Sequence, residues 1–305
     1  MIRLLAVLLI VISVGLIPPG GLADEFTGIS NGADFPDVAP EVSGHGRQMQ
    51  IRLALPSSTE GQPLKGRAKA DELKGGLTQL ELHRLAAHDI VLFIDKSFSM
   101  STTDCPLPST SSSKLGSLSS LVLGLGGMTA SRWDWCVRQI EHMVRQTERA
   151  LTNGFTVVLF DNRFSIFQHV TVPELSNIYA CNHPGGGTLL GEPLACTFND
   201  YFRRKRVSRG NVKPLLIGVI TDGCPHDPEA VRDEVISATR AVRDPSEITI
   251  IFFLIGGNDP GGNHFVWKLS HELVHHGARY QAVKAVPFDE LERLGLARAL
   301  ADNLE

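Results

Sequence analysis

The sequence has little net charge. Its 29 Lys and Arg residues nearly balance 33 Asp and Glu, leaving −4, too weak a field to make nucleic acid or an anionic membrane its main partner. It lacks any apolar run of the roughly 18–20 residues that span a bilayer; the longest, Leu4 to Ile17, holds 14. No cysteine lies near residue 23, which argues against a bacterial lipoprotein, and no Asn-x-Ser/Thr sequon occurs, so N-glycosylation cannot be inferred. What is present describes an ordinary globular protein. The 305 residues are 43% hydrophobic and 20% charged, enough to bury a sizeable core in one large domain or two small ones.

The N-terminus reads as an export signal. Arg3 gives a positive start to the apolar run, Pro18, Pro19, Gly20 and Gly21 break any helix, and Gly21-Leu22-Ala23 offers small residues for cleavage before Asp24. Residues 1–23 are thus expected to be a signal peptide, making the mature chain secreted or periplasmic; an uncleaved N-terminal anchor is the alternative. Five cysteines stand at positions 105, 136, 181, 196 and 224. Export would allow up to four to be bridged, with the pairing open. Cys136 falls on the apolar face of a predicted helix, where a buried thiol is expected.

Residues 24–85 are read as a flexible linker, rich in Gly, Pro, Ser and charge, with at most a short strand at Met49–Leu55. From about residue 86 the pattern changes. Apolar runs at Ile90–Ile94, Thr156–Phe160, Ser165–Val170, Leu215–Ile220, Ile248–Ile255 and Tyr280–Val286 are candidate strands, several of them continuously apolar, as burial on both faces requires. Amphipathic stretches alternate with them. The clearest runs from Trp133 through Cys136, Ile140, Met143 and Thr147 to Leu151, and others span about 188–204, 228–243, 264–276 and 288–303. The separation of two strands by only Asp161–Phe164 predicts a hairpin, and so one antiparallel edge strand. The fold expected is α/β, with a doubly wound, mostly parallel central sheet and helices on both faces. Residues 101–131, dense in serine and glycine, form an insertion after the first strand. A connection that long is disordered or functional, and both readings stay open.

The candidate site lies where such a fold binds ligands, outside the carboxyl ends of its strands. The first strand runs into Asp95-Lys96-Ser97-Phe98-Ser99, one carboxylate and two hydroxyls at alternate positions. Three hard oxygens suit Mg²⁺ or Mn²⁺ rather than Zn²⁺. Leu215–Ile220 ends in Thr221-Asp222-Gly223, a second carboxylate at a strand end, and Gly185-Gly186-Gly187-Thr188 places a hydroxyl on a loop whose glycines allow close backbone approach.

In order and strand context, Asp95-x-Ser97-x-Ser99, Thr188 after its glycines and Asp222 in Thr-Asp-Gly resemble the metal-ion-dependent adhesion site of von Willebrand factor A domains. The resemblance covers residues 86–305. Phe98, where the family often has a small residue, and the insertion after Met100 depart from it. The resemblance implies a Rossmann-like fold of that family, with Ser97, Ser99 and Thr188 holding one Mg²⁺ (or Mn²⁺) through hydroxyls. Asp95 and Asp222 would bond it directly or through water. It further implies a non-enzymatic interaction module whose ion accepts an Asp or Glu carboxylate from a partner protein. An assembly or metal-handling role for the same module is the nearest alternative.

A rival from another class is His271-Glu272-Leu273-Val274-His275, which matches the zinc-peptidase helix signature. Its bland reading is the end of a helix capped at Gly277, with Phe265, Val266, Leu269 and Leu273 facing the core. Arg203-Arg204-Lys205-Arg206 reads as a solvated helix C-terminus, Gly256-Gly257…Gly261-Gly262 as the loop leaving a strand, and Cys224 as structural.

Overall fold

The computed structural model describes residues 50–52, 76–106, 129–257 and 259–304. The signal-peptide stretch, most of the linker and positions 107–128 of the insertion lie outside these residues. No helix among the described residues is long and apolar enough to cross a membrane.

Seven strands form one sheet. In chain order they are β1 (Gln50–Arg52), β2 (Asp89–Asp95), β5 (Phe155–Phe160), β6 (Phe164–Val170), β7 (Leu215–Thr221), β8 (Ile248–Leu254) and β9 (Val283–Val286); β3 (Cys105–Pro106) and β4 (Thr129–Ala130) make a separate two-stranded ribbon. The spatial order β1-β6-β5-β2-β7-β8-β9 puts β2 at the centre. β2, β5, β7, β8 and β9 are parallel, and β6 runs antiparallel to β5 as the short connection predicts. β1 pairs parallel with β6 and covers that edge.

Both faces of the sheet are buried, and β2 shows how. Ile90, Leu92 and Ile94 join one core, while Val91 and Phe93 join the other, the period-two alternation of a strand with apolar residues on both sides. On the first face pack α1 (Gln79–Ala86), α2 (Arg132–Thr147), α3 (Val172–Ala180), α7 (Phe288–Leu294) and α8 (Leu296–Asp302). The second face carries α4 (Gly191–Val207), α5 (Pro228–Ala241) and α6 (Pro260–Glu272). The α/β architecture is the one expected.

Local differences have physical reasons. The predicted helix over 288–303 is two helices, broken at Gly295, whose φ of 76° and ψ of 156° suit only glycine. The predicted helix opening at Thr188 starts at Gly191, because the first backbone N–H groups are caught by another element: Leu190 N and Gly191 N donate to the Asp227 carboxylate at 3.0 and 2.8 Å. Asp227 also precedes α5, yet it makes no side-chain bond to that helix. Helix α1 falls inside the stretch read as linker, held by a capping box between Thr78 and Glu81. Cys105, Cys136, Cys181 and Cys224 are free thiols. Burial pushes the Cys105 thiol up to about 12 and holds Cys136 higher still.

Candidate metal site

The site is built on two neighbouring strands. β2 and β7 pair in register from Asp89↔Leu215 to Ile94↔Ile220, so Asp95 and Thr221 finish side by side. The Thr221 hydroxyl donates to Asp95 Oδ2 at 2.7 Å, and Ser97 N donates to Asp95 Oδ1 at 2.7 Å. The carboxylate is buried and meets only neutral donors. Burial, and then the charge of Asp222, push its pKa up to about 7 against the pull of the Ser97 and Thr221 hydrogen bonds.

Beyond Asp95 the chain makes a single turn of 3₁₀ helix, Phe98–Ser101. That turn brings the Ser97 and Ser99 hydroxyls to 3.0 Å from each other, and Ser99 Oγ donates to Asp222 Oδ1 at 2.8 Å. Four of the five sequence-predicted residues are therefore linked: Asp95 to Ser97, Ser97 to Ser99, and Ser99 to Asp222.

Thr188 lies on a loop whose glycine run is tied to the turn after β2. Gly185 N donates to Lys96 O at 2.8 Å and Phe98 N donates to Gly186 O at 3.1 Å, stitching the glycine run to the turn after β2. From the other side, His226 N donates to Thr188 O at 2.8 Å. Gly187 is tightly packed here. A Cβ on it would stand 2.6 Å from His226 Nδ1 and 2.7 Å from Asn162 Oδ1, and Gly187 N donates to that Asn162 oxygen at 3.0 Å. Lys96 turns away from the carboxylates to pair with Asp161 at 2.7 Å, while Phe98 projects from the rim 74% exposed.

Sequence reasoning does not find Arg132 or Asp104. Arg132 begins α2, and its guanidinium donates to Asp222 Oδ2 at 2.8 Å and makes a two-pronged contact with Asp104, Nε to Oδ1 at 2.9 Å and an Nη to Oδ2 at 2.6 Å. Gly257 N donates to Asp104 Oδ2 at 2.7 Å. These hydrogen bonds hold the Asp104 carboxyl below the usual range and keep Arg132 charged. Asp104 lies near the start of the long insertion and Arg132 directly follows its end, and no spacing links them. The ribbon β3–β4 does so in space, pairing Cys105 with Ala130.

The donor set fits a hard divalent ion. Five side chains offer oxygen only, two of them are carboxylates close enough to repel one another, and one of those is buried. A cleft of about 280 Å³ opens beside Asp222, lined by Gly256, Asp259, Phe288 and Asp289 among others.

The zinc-peptidase signature has a different geometry. α6 ends at Glu272 and Leu273 to Gly277 form turns, so the signature straddles the end of the helix. The His271 ring stacks on Trp267 at 4.9 Å and its Nδ1 lies 3.0 Å from Trp267 O. Among the described residues no group of three His, Cys, Asp or Glu is placed to hold a metal. Three of the four basic residues are likewise committed: Arg204 pairs with Asp89 and Asp200, Arg203 with Asp200, and Lys205 with Glu247.

No family model matches the sequence, and no curated protein matches it. Among solved structures, the crystal structure of manganese-loaded Plasmodium vivax TRAP protein is similar over 70% of this chain and 71% of its own, at 12% identity and a TM-score of 0.39. The fold assignment rests on the strand order and two-sided burial described above.

Proposed function

We propose that this chain is a protein-binding module of the von Willebrand factor A type, holding one Mg²⁺ or Mn²⁺ at Asp95, Ser97, Ser99, Thr188 and Asp222. The observation that carries the reading is the chain of short contacts from Asp95 through Ser97 and Ser99 to Asp222, across the ends of two adjacent central strands. A bound ion would supply a Lewis-acidic centre, open to a carboxylate from outside. The residues would each have one task. Asp95 and Asp222 supply charge, whereas the three hydroxyls supply neutral oxygens that leave the ion unsatisfied in charge. Thr221 and the Ser97 backbone orient Asp95.

The partner proposed is a protein presenting an Asp or Glu, and the module itself is non-enzymatic. Export fits this role, since the apolar run at Leu4–Ile17 reads as a signal sequence. The experiment is metal analysis of the purified full chain, then Mg²⁺ and Mn²⁺ titration of the wild type and Asp95→Ala. One saturable site in the wild type, absent in the variant, is expected. No binding of either ion by the wild type would overturn the reading.

A further inference from the structure

We infer that Arg132 is a built-in counter-charge of the metal site, set against the incoming cation and partly masked by Asp104. The inference rests on the metal-binding reading and goes beyond the five ligands. It starts from a cation in the wrong place. Arg132 is the first residue of α2, directly after the N-cap Ser131, where the helix macrodipole disfavours positive charge. Tertiary contacts hold it there. Its side chain is only 13% exposed, and three of its nitrogens are committed, two to Asp104 and one to Asp222.

The surroundings are shaped to this guanidinium. Gly256 adopts φ of 80°, and a Cβ there would fall 2.1 Å from Arg132 Nε, so the loop after β8 leaves room for the charged group. The next residue, Gly257, anchors Asp104 through its backbone N–H. One planar fork therefore spans a carboxylate outside the proposed ligand set and a carboxylate within it.

Charge counting gives the consequence. Asp95 and Asp222, when ionised, present two negative charges, matching a divalent ion. Arg132 adds a positive charge bonded to one oxygen of Asp222, and Asp104 offsets it from the far side. Arg132 thus occupies one lone-pair site on Asp222 Oδ2 and repels a cation, while Asp104 draws the guanidinium's charge away. Removing either member of the pair moves metal affinity, and the two removals move it in opposite directions. A purely structural clamp would lose affinity in both.

The test uses the purified full chain, with free Mn²⁺ followed by its EPR signal in titrations of wild type, Arg132→Gln and Asp104→Asn. Thermal unfolding of each variant checks that it is folded. The expected result is tighter Mn²⁺ binding in Arg132→Gln and weaker binding in Asp104→Asn, each on the order of threefold to tenfold for a unit charge a few ångströms away in a partly solvated site. Binding by the wild type with equal or weaker binding in Arg132→Gln would overturn the inference and leave the metal-binding reading standing. So would weakening in both variants. If neither the wild type nor Arg132→Gln binds Mn²⁺, the metal-binding reading fails first and the inference falls with it. Binding by Arg132→Gln alone would support the inference in its strongest form, with Arg132 excluding the ion.

Discussion

Asp95 illustrates how a site is paid for at a single residue. A carboxyl that no solvent reaches is held by one hydroxyl and one backbone N–H, and burial pushes it up to about 7. Because the folded value lies above the 3.8 of an ordinary Asp, the native state binds the proton more tightly than the unfolded chain. The stability that Asp95 contributes is fully present below about pH 4 and is lost as pH rises through 7. In EDTA, raising the pH from 5.5 to 8 should therefore cost the wild type about 2 kcal/mol through this group. Asp95→Asn should lack that component. Denaturant unfolding of both proteins at the two pH values checks it, and an identical pH response in both would refute the assignment. The cysteines give a second prediction at this scale. Cys181 is exposed, whereas Cys105 and Cys136 are buried with raised pKa values. Alkylation of the native protein followed by mass mapping should label Cys181 first and leave Cys105 and Cys136 unmodified until unfolding.

At the scale of elements, the sequence is legible wherever apolar periodicity is strong. The six predicted strands and the helix carrying Trp133, Ile140 and Met143 are present within a few residues, because continuous apolar runs and a clear helical stripe leave one burial solution. Two short helices escape that signal. α1 and α3 are nine residues or fewer, too short to display a stripe, yet both open with a Thr-x-x-Glu capping box, Thr78 with Glu81 and Thr171 with Glu174. The site divides in the same way. Asp95, Ser97, Ser99, Thr188 and Asp222 are readable because each sits at a strand end or glycine turn. Arg132 and Asp104 are not, because they stand 28 positions apart across most of the insertion and only the β3–β4 pairing brings them together. The break at Gly295 gives this scale its prediction. Its Cβ space is open, with Gln139 Oε1 at 3.6 Å as the nearest atom, so Gly295→Ala meets backbone strain rather than a clash. The expected cost is about 1–3 kcal/mol in unfolding experiments, with Mn²⁺ affinity unchanged. A loss below a few tenths would mean that the break tolerates a side chain.

The molecule as a whole couples its core to the site through β2 and β7. These strands lie at the centre of the sheet, are buried on both faces, and end in Asp95 and in Thr221 followed by Asp222. The loops around their ends are bound to one another: the turn after β2 to the glycine run, that run to His226, and Asp227 to the start of α4. An ion held by residues from three such loops would join segments that are 34 to 127 positions apart, a set of contacts available only to the folded chain. Binding to the native state alone raises the unfolding free energy by RT ln(1 + [L]/Kd), about 2.7 kcal/mol at one hundred times Kd. Saturating Mg²⁺ or Mn²⁺ should accordingly raise the thermal midpoint of the wild type. Thr188→Ala and Asp222→Asn should lose most of that increment, since each removes a ligand from a different loop. Ca²⁺ provides a contrast: its longer bonds and preference for six to eight oxygens suit this compact set of side chains poorly, and a smaller shift is expected. If Ca²⁺ stabilised more strongly than Mg²⁺ and Mn²⁺, the proposed ligands would have to open beyond the hydrogen-bonded spacing of Ser97, Ser99 and Asp222.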